Sequence, residues 1–525
     1  MMDCWVAQRP HLKGLADKVR ALFTMADEAY QQGRANGDAM DYAAFEECVS
    51  QASAELECAV HQTVLGSLDI DVPFVRVWGK SYRRVHRTER SYGTMAGSVP
   101  VTRTLYRELG KRNGPVLDPI AMRAGMVDAS WLPRTARAMS YLLAQGTSRE
   151  AMMTCDELQR LPYCRSSFER VGHAVGTEYL RRRESVESHL IERFELPEET
   201  RSISVSVDRT SVPMEEPVQP TSAPAEPVRL TRPRAGWTGL DERDKTAVEE
   251  QKRQIEEAKR PKIERNWRMA YCATVTLHDA QGQALHTIRY GRMPPTPGSV
   301  ESVLHREVKR LMERLQQDVV ALRARRPELP VVLLADGAPE LWNLFDRYLN
   351  EQTLGVMPIK LIDAWHALEY VGAAARFLES RQRAWPGSFV RWKRWLLMKP
   401  DGVQRVLGAL GDAGLHEARD ENGARPVGDA IRYMHARISE MRYAEAQSLG
   451  LPIGSGAVEA TCKSLVAQRM KRPGSRWKPV TGNEVLQLRA LQLSDRWEPA
   501  MKRMLRPLRK PVHVLTREQA LGRVA

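Results

Sequence analysis

The sequence predicts an α/β protein, because strand patterns and helical patterns alternate through its second half. The run VVLLAD at 331–336 is continuously apolar and then turns acidic, which is typical of a central strand buried on both faces. SISVSVD at 202–208 alternates serine with isoleucine and valine before it reaches an acid, so it is also interpreted as a strand ending on an acid. Residues 269–277 and 284–291 flank a turn at 279–282, which indicates a hairpin.

The composition favours a polyanionic partner and a reducing compartment. The chain has 525 residues with 79 Lys and Arg against 65 Asp and Glu, a net charge of +14. No apolar run of about 18 residues occurs, so no membrane span is expected. Its seven cysteines form no C-x-x-C pair and are odd in number. A zinc ribbon or a disulfide framework is therefore not expected, and a cytoplasmic location fits.

The first 117 residues show two kinds of pattern. Residues 1–70 are predicted to be helical, with patterns at 12–31 and 41–65. Residues 71–117 are β-rich, with three or four short strands separated by glycines, and arginines alternate there with aromatic residues. This sheet either contacts DNA phosphates or presents an ordinary solvated basic face, and the sequence leaves both interpretations open.

The segment 118–195 is again helical, and the order of its parts resembles a helix-turn-helix. One helix pattern ends at Gly146, and a second follows with Thr147 or Ser148 as its N-cap. A third, serine-capped helix would be the recognition helix, and its candidate DNA-contacting residues are Arg165, Ser166, Ser167 and Arg170. A plain helical domain without DNA contact is the open alternative.

Residues 196–505 have an element order that matches the RNase H-like α/β plan. Three strand patterns are followed by a helix at 299–324, the strand at 331–336, a helix, a strand at 356–363 and another helix. Two additions interrupt the plan, namely a proline-rich and charged insert at 213–265 and a helical insertion at about 375–450. A basic tail at 506–525 follows.

The stretch 451–477 combines a glycine-rich turn, one acid and many cations. Ser455 is the expected N-cap of a helix, and Glu459 lies in its first turn. The next acid is Glu484. The basic residues expected to hold the DNA backbone are Lys463, Arg469, Lys471, Arg472 and Arg476. The alternative is an ordinary first-turn glutamate, which the helix dipole stabilises and which pairs with Lys463 at i+4.

Three acids stand out by position, namely Asp208, Asp336 and Glu459. In the RNase H-like plan the first and central strands are neighbours, so the acids at their ends meet, and a late helix adds the third. Three carboxylates around one or two Mg²⁺ or Mn²⁺ ions suit phosphodiester chemistry. Hard oxygen ligands favour those metals over zinc. Acids at strand ends are also common turn or cap residues, which is the alternative for each position.

Four motifs together resemble a DDE transposase of bacterial insertion sequences, in particular the ISKra type, which is distantly related to Mutator-like elements. They are SVDRTSVP, LLADGAPELW, DAWHALEY and LPIGSGAVEATCKSLVAQRMKRPGSRW. The resemblance covers residues from about 82 to 497. It implies that Asp208, Asp336 and Glu459 are the first, second and third acids and that a helical insertion separates the last two.

The resemblance also implies a role for His366, because Asp363-x-x-His366 is similar to the Asp/Cys-x-x-His pair of Mutator-like and related transposases. His366 would contact the scissile phosphate or order the site, while a structural histidine on an amphipathic helix is the alternative. The chain departs from its relatives in two ways. It lacks the cysteine pairs that many of them carry in the β-rich region, so we expect no zinc, and its 213–265 insert is long.

The function expected from these features is DNA transposition. The N-terminal regions would grip double-stranded DNA at the terminal inverted repeats. The metal-dependent site would hydrolyse the phosphodiester and join the freed 3′-hydroxyl to target DNA. DNA synapsis implies a homo-oligomer. Two alternatives remain, namely another RNase H-like nuclease and a transposase-derived DNA-binding protein without catalysis.

Overall fold

A computed structural model of the chain describes residues 6–35, 39–217, 245–246, 248–253, 263–294 and 302–521. Most of the expected insert at 213–265 lies outside these residues. Within the described ranges the chain is a mixed α/β protein with two five-stranded sheets. No helix in these ranges is long and apolar enough to cross a bilayer.

The first sheet belongs to the N-terminal region and recruits a strand from the C-terminus. Two long helices, α1 (Lys13–Ala35) and α2 (Tyr42–Gly66), precede it. Its antiparallel order is β10-β1-β2-β3-β4. The strands are β1 (Phe74–Val77), β2 (Lys80–Gly93), β3 (Ser98–Glu108), β4 (Val116–Leu117) and β10 (His513–Leu515). The C-terminal segment is therefore more than the basic tail expected at 506–525, because burial of Leu515 anchors β10 against β1.

A helical region follows the first sheet. Its helices are α3 (Pro119–Ala124), α4 (Pro133–Gln145), α5 (Ser148–Glu157) and α6 (Arg165–Glu192). Thr147 caps α5 as expected, since its side chain and Glu150 form reciprocal hydrogen bonds with each other's backbone. The expected serine cap of α6 is wrong, because Cys164 occupies the N-cap position and no side chain caps the helix.

The second sheet has the order β7-β6-β5-β8-β9. Its strands are β5 (Ser202–Pro217), β6 (Ile263–His278), β7 (Ala284–Arg292), β8 (Val331–Ala335) and β9 (Ile359–Ile362). β5, β6 and β7 are mutually antiparallel, whereas β8 runs parallel to β5 and β9 runs parallel to β8. The prediction that β5 ends at Asp208 is wrong, because β6 pairs with β5 along its whole length and extends it to Pro217.

Helices cover both faces of the second sheet. The connecting helices and those of the helical insertion are α7 (Ser302–Arg325), α8 (Pro339–Tyr348), α9 (Glu351–Leu354), α10 (Ala364–Ser380), α11 (Ser388–Met398), α12 (Gly402–Ala413), α13 (Pro426–Ala436) and α14 (Tyr443–Ser448). The late helix α15 runs through Gly456–Thr461, a π-helical turn at Cys462–Ala467, and Gln468–Met470. The last helices are α16 (Pro479–Leu493), α17 (Trp497–Leu505) and α18 (Arg517–Leu521).

The two faces of β5 belong to different apolar clusters. Val205 and Val207 pack in the largest cluster, together with residues of α7, α8 and α10. Val212 and Met214 pack on the opposite face against Val458 of α15. The alternation of side chains along a strand explains this division, and it places α15 on the face to which Asp208 belongs.

Candidate active site

Asp208 and Asp336 lie side by side on neighbouring parallel strands. The pairing of β5 with β8 reaches Ser206 and Leu334. Continuing that register by two residues brings Asp208 level with Asp336, which directly follows β8. Neighbouring strands are about 4.8 Å apart, and positions two residues on share a face. Both carboxylates therefore lie on the same face of the sheet.

Glu459 lies within one helical turn of this pair. The Sγ atom of Cys462 donates a hydrogen bond to Oδ2 of Asp208 at 3.3 Å. A hydrogen bond with Cys272 and burial raise the pKa of the Cys462 thiol, so the thiol stays protonated and can donate. Glu459 precedes Cys462 by three residues in α15, and side chains at this spacing are neighbours on a helix.

The carboxylate of Glu459 is exposed at this place. No described lysine or arginine lies within ion-pair distance of it, so the structure does not form the alternative pair with Lys463. The first-turn acid therefore has no charged partner among the described residues, and its side chain is open to solvent.

Asp363 connects the strand ends to the turn that starts α15. It is buried, and its Oδ1 accepts a hydrogen bond from the backbone N–H of His366 at 2.7 Å while Oδ2 accepts one from Ser455. Its own N–H donates to the carbonyl of Ala335 at 3.0 Å. Asp363 thus ties the end of β8, through its backbone N–H, to the residue that begins the Glu459 helix, through its buried carboxylate.

Gly454 permits the close approach of this turn to Trp365. A Cβ atom on Gly454 would lie 3.0 Å from Cδ1 and Nε1 of the Trp365 indole. Trp365 is half-exposed, and Nζ of Lys393 lies 5.0 Å from its ring centroid. An aromatic face and a cation therefore border the site on the side of α10 and α11.

His366 belongs to an aromatic cluster beside Asp336. Its ring contacts those of Tyr370 and Tyr433 at centroid distances of 5.8 and 6.0 Å, and the two tyrosines stack at 4.2 Å. Nδ1 of His366 lies 3.3 Å from Oε2 of Glu369. Tyr433 comes from the helical insertion and packs on Gly337, where a Cβ atom would lie 2.4 Å from its Cε2. The side chain of His366 is half-exposed.

A second charged group lies on the other face of the sheet. Arg209 pairs with Glu340, and the hydroxyl of Tyr271 donates to the same carboxylate. Burial, followed by the hydrogen bond to Glu340, raises the pKa of Tyr271 to about 12. Because Arg209 and Asp208 point to opposite faces, this arginine does not neutralise the carboxylate pair.

The donor chemistry of the three acids fits a hard divalent cation, since all of their ligand atoms are oxygen. No three His, Cys, Asp or Glu side chains in the described ranges are arranged as a ready-made metal site. Backbone groups contact both aspartates, since Oδ1 of Asp208 accepts from Arg209 N at 2.6 Å and Oδ1 of Asp336 accepts from Ala338 N at 3.0 Å. Mg²⁺ or Mn²⁺ binding, the number of ions and the lack of zinc stay predictions.

The side chains expected at the start of a recognition helix contact other residues of the protein. Nε of Arg165 lies 3.0 Å from Glu169, and Arg170 lies 3.9 Å from Asp128. The hydroxyls of Ser166 and Ser167 lie 3.2 and 3.4 Å from Sγ of Cys164. Internal partners weaken the case that these side chains read DNA. Two of the four β2 arginines show the same pattern, since Arg84 and Arg87 pair with acids.

The basic tract after Glu459 divides into buried and exposed positions. The assignment of Arg469 to DNA contact is wrong for this structure, because Arg469 is buried and donates to the carbonyl of Leu143 at 3.0 and 3.2 Å. Burial lowers its pKa to about 10. Arg472 pairs with Glu150, and Lys471 donates to Thr210 at 2.7 Å.

The two remaining tract residues keep their charges in solvent. Lys463 and Arg476 are exposed, and neither has an acidic partner in the described part of the chain. The segment that carries Arg476 also lies along β5 beyond Asp208, since Trp477 N donates to Pro213 O at 3.0 Å. These two cations are therefore the tract residues placed to meet a phosphate backbone.

The sequence analysis did not predict the structural roles of Asp363, which holds the turn before α15, or of Gly337 and Tyr433, which pack on each other. Asp363 carried a local signal, because an acid before a helix pattern is a typical N-cap. The glycine after Asp336 was visible too, although only the fold shows that it makes room for Tyr433. Tyr433 is 97 positions from Asp336, and no local pattern relates the two.

No protein-family model matches the chain, and no curated protein is significantly similar to it.

Proposed function

We propose that this protein is a DDE transposase of the ISKra type, with an RNase H-like catalytic domain that carries Asp208, Asp336 and Glu459. The strand order β7-β6-β5-β8-β9 supports this proposal, because its three antiparallel strands are followed by two parallel ones, as in the RNase H-like plan. The observation that carries the proposal is the side-by-side position of Asp208 and Asp336, with the Glu459 helix contacting Asp208 through Cys462.

The three carboxylates would hold one or two Mg²⁺ or Mn²⁺ ions. When bound, such ions activate a water or a 3′-hydroxyl and stabilise the leaving oxygen of the phosphodiester. Asp208 and Asp336 supply charge from a rigid sheet, and Glu459 supplies it from an exposed helical turn that is able to adjust. Asp363 keeps that turn against the strand ends. His366, in the aromatic cluster beside Asp336, would contact the scissile phosphate or order the site.

The DNA partner is supported by charge. The chain carries a net charge of +14, and exposed cations such as Lys463 and Arg476 lie on or beyond the helix of Glu459. The substrates we propose are the terminal inverted repeats and target DNA, bound by a homo-oligomer. The rival interpretation is a DNA-binding protein without catalysis.

The test is excision and insertion in cells from a donor plasmid that carries the element's own ends. Asp208→Asn, Asp336→Asn and Glu459→Gln each remove a charge but keep the shape, and both asparagine amides can still accept the backbone hydrogen bonds. We expect each variant to lose activity by a factor of about 100 or more while end binding persists. Glu328→Gln is the matched control, since this exposed acid lies before the opposite end of β8 and should leave activity unchanged.

The outcomes separate the candidates. Activity that survives Glu459→Gln would remove the third ligand from the proposal. End binding without any excision by the wild type would favour the non-catalytic protein. Cleavage without strand joining would favour a plain nuclease.

A further inference from the structure

A large groove lies between helices α4 and α5 on one side and helix α17 on the other, and none of the three acids lines it. Its volume is about 1210 Å³. The groove is lined by residues of α4, α5 and α17 and by the segment after α17. Its apolar lining includes Met95, Leu142, Leu161, Met501 and Leu505.

The charged residues of the groove are almost all basic. Six cations and one acid line it. The cations are Arg134, Arg137, Arg160, Lys502, Arg506 and Arg509. Arg137 pairs with the single acid, Glu498, at 2.9 Å, and Arg160 pairs with Glu57 at 2.7 Å. The other four are exposed and have no acidic partner among the residues that the structure describes.

This pattern differs from that of the expected recognition helix. Arg165 and Arg170 lie near acids, whereas Arg134, Lys502 and Arg506 are exposed and have no acidic partner among the described residues. Cations without internal partners are the ones whose counterions a polyanion can displace at a gain in free energy. Charge complementarity therefore favours a polyanionic ligand at the groove and not at the start of α6.

An exposed aromatic residue stands at the same groove. Tyr141 is 40% exposed, and its ring meets that of buried Trp497 edge-on at a centroid distance of 5.3 Å. Trp497 holds the tyrosine in place, so its free face loses little entropy on contact with a flat ligand. A fixed aromatic face inside a basic groove is the arrangement that proteins use for unpaired nucleic-acid strands.

We propose that this groove binds an unpaired DNA strand, with phosphates on the basic rim and bases on Tyr141 and the apolar floor. The inference rests on the proposed function, in which the partner of the protein is DNA. A duplex keeps its bases stacked inside and would leave the apolar floor unused. An acidic peptide would satisfy the cations, but it would not need the exposed aromatic face.

The experiment measures binding of the full chain to a fluorescent thymidine strand of roughly 20 nucleotides, longer than one single-strand site. The duplex of equal length and a polyglutamate peptide are the comparison probes. The groove variant is Lys502→Glu with Arg506→Glu. The control is Arg503→Glu with Arg149→Glu, which makes the same charge change at exposed cations that do not line the groove.

We expect the groove variant to bind the single strand at least ten-fold more weakly, while the control stays within about two-fold. The slope of log K against log salt should fall by about 1.4, which corresponds to two lost phosphate contacts on a single strand. Tyr141→Ala should weaken binding roughly ten-fold without changing that slope, because stacking releases no counterions.

Equal losses in the groove variant and the control would overturn the proposal. So would a groove-dependent preference for the duplex, or polyglutamate binding that the groove variant loses while the single strand still binds. These failures differ from failure of the proposed function. Groove-dependent binding of the single strand by a protein that never cleaves DNA would support this inference and contradict the transposase proposal. DNA cleavage without groove-dependent binding would support the transposase proposal and contradict this inference.

Discussion

The carboxylate of Asp363 accepts a hydrogen bond from the backbone N–H of Ser455, a residue 92 positions further along the chain. Asp363 caps α10, and Ser455 precedes the helix that carries Glu459. The same aspartate donates its N–H to Ala335 at the end of β8, next to Asp336. Asp363 therefore connects the end of β8, through its backbone N–H, to the start of the Glu459 helix, through its buried carboxylate.

Asp363→Ala should lower the free energy of unfolding by about 2–4 kcal/mol, because the backbone N–H groups of His366 and Ser455 lose their acceptor in a buried place. Asp363→Asn keeps one acceptor oxygen and should cost less. Urea denaturation measures both. Asp401→Ala is the control, since Asp401 also precedes a helix but caps no N–H with its side chain. Equal losses of unfolding free energy at the two positions would show that the hydrogen bonds of the Asp363 carboxylate do not stabilise the fold.

Gly337→Ala should destabilise the protein by about 1–3 kcal/mol, because the added methyl would overlap the Tyr433 ring. Tyr433→Ala removes the obstacle, so the double variant should be more stable than the sum of the single effects predicts. A thermodynamic cycle from denaturation curves gives this coupling, and we expect about 0.5–3 kcal/mol. Additive effects would mean that Tyr433 does not pack on Gly337.

Arg469→Ala should lower the free energy of unfolding by about 2–4 kcal/mol, since it leaves the Leu143 carbonyl without its two donors and removes the guanidinium that lies 4.9 Å from the Trp477 ring. Its DNA affinity per folded molecule should not change. Exposed Arg476→Ala should behave in the opposite way, with normal stability and a duplex salt slope reduced by about 0.9. Normal stability together with lost DNA affinity in the Arg469 variant would support the prediction from the sequence that Arg469 contacts DNA.

His278 should make stability depend on pH. Burial lowers its pKa from the ordinary 6.5, and its Nδ1 donates to Gly282 O at 3.0 Å while Nε2 accepts from Ser204 at 2.8 Å. The folded state thus holds the neutral ring, and the unfolded chain takes up a proton as pH falls through 6.5. Stability from this group is complete above that value and is lost below it, at up to about 1.4 kcal/mol per pH unit.

His278→Gln removes the titrating ring and should flatten this loss. Urea denaturation at about pH 8, 6.5 and 5.5 compares the variant with the wild type. Half-buried His286, whose pKa is also lowered by burial, leaves a residual slope in both proteins. Identical slopes would show that His278 titrates normally in the folded state.

The strands of the second sheet and the end of α4 at Gly146 were predictable from the sequence because their signals are local. A buried run such as 331–335 or the alternation at 202–207 reflects the faces that a strand presents. The extension of β5 to Pro217 was not predictable in this way. It depends on pairing with residues from 263 onward, on the far side of a long insert.

The sequence by itself determined which residues carry the candidate chemistry, because acids at the ends of apolar runs and a lone acid before a basic tract are local features. Only the tertiary structure decided that Asp208 lies level with Asp336, that Asp363 holds the Glu459 helix, and that Arg469 is buried. The reason is physical: strand register and side-chain burial are set by contacts between segments far apart in the chain. A local pattern limits those contacts but does not select among them.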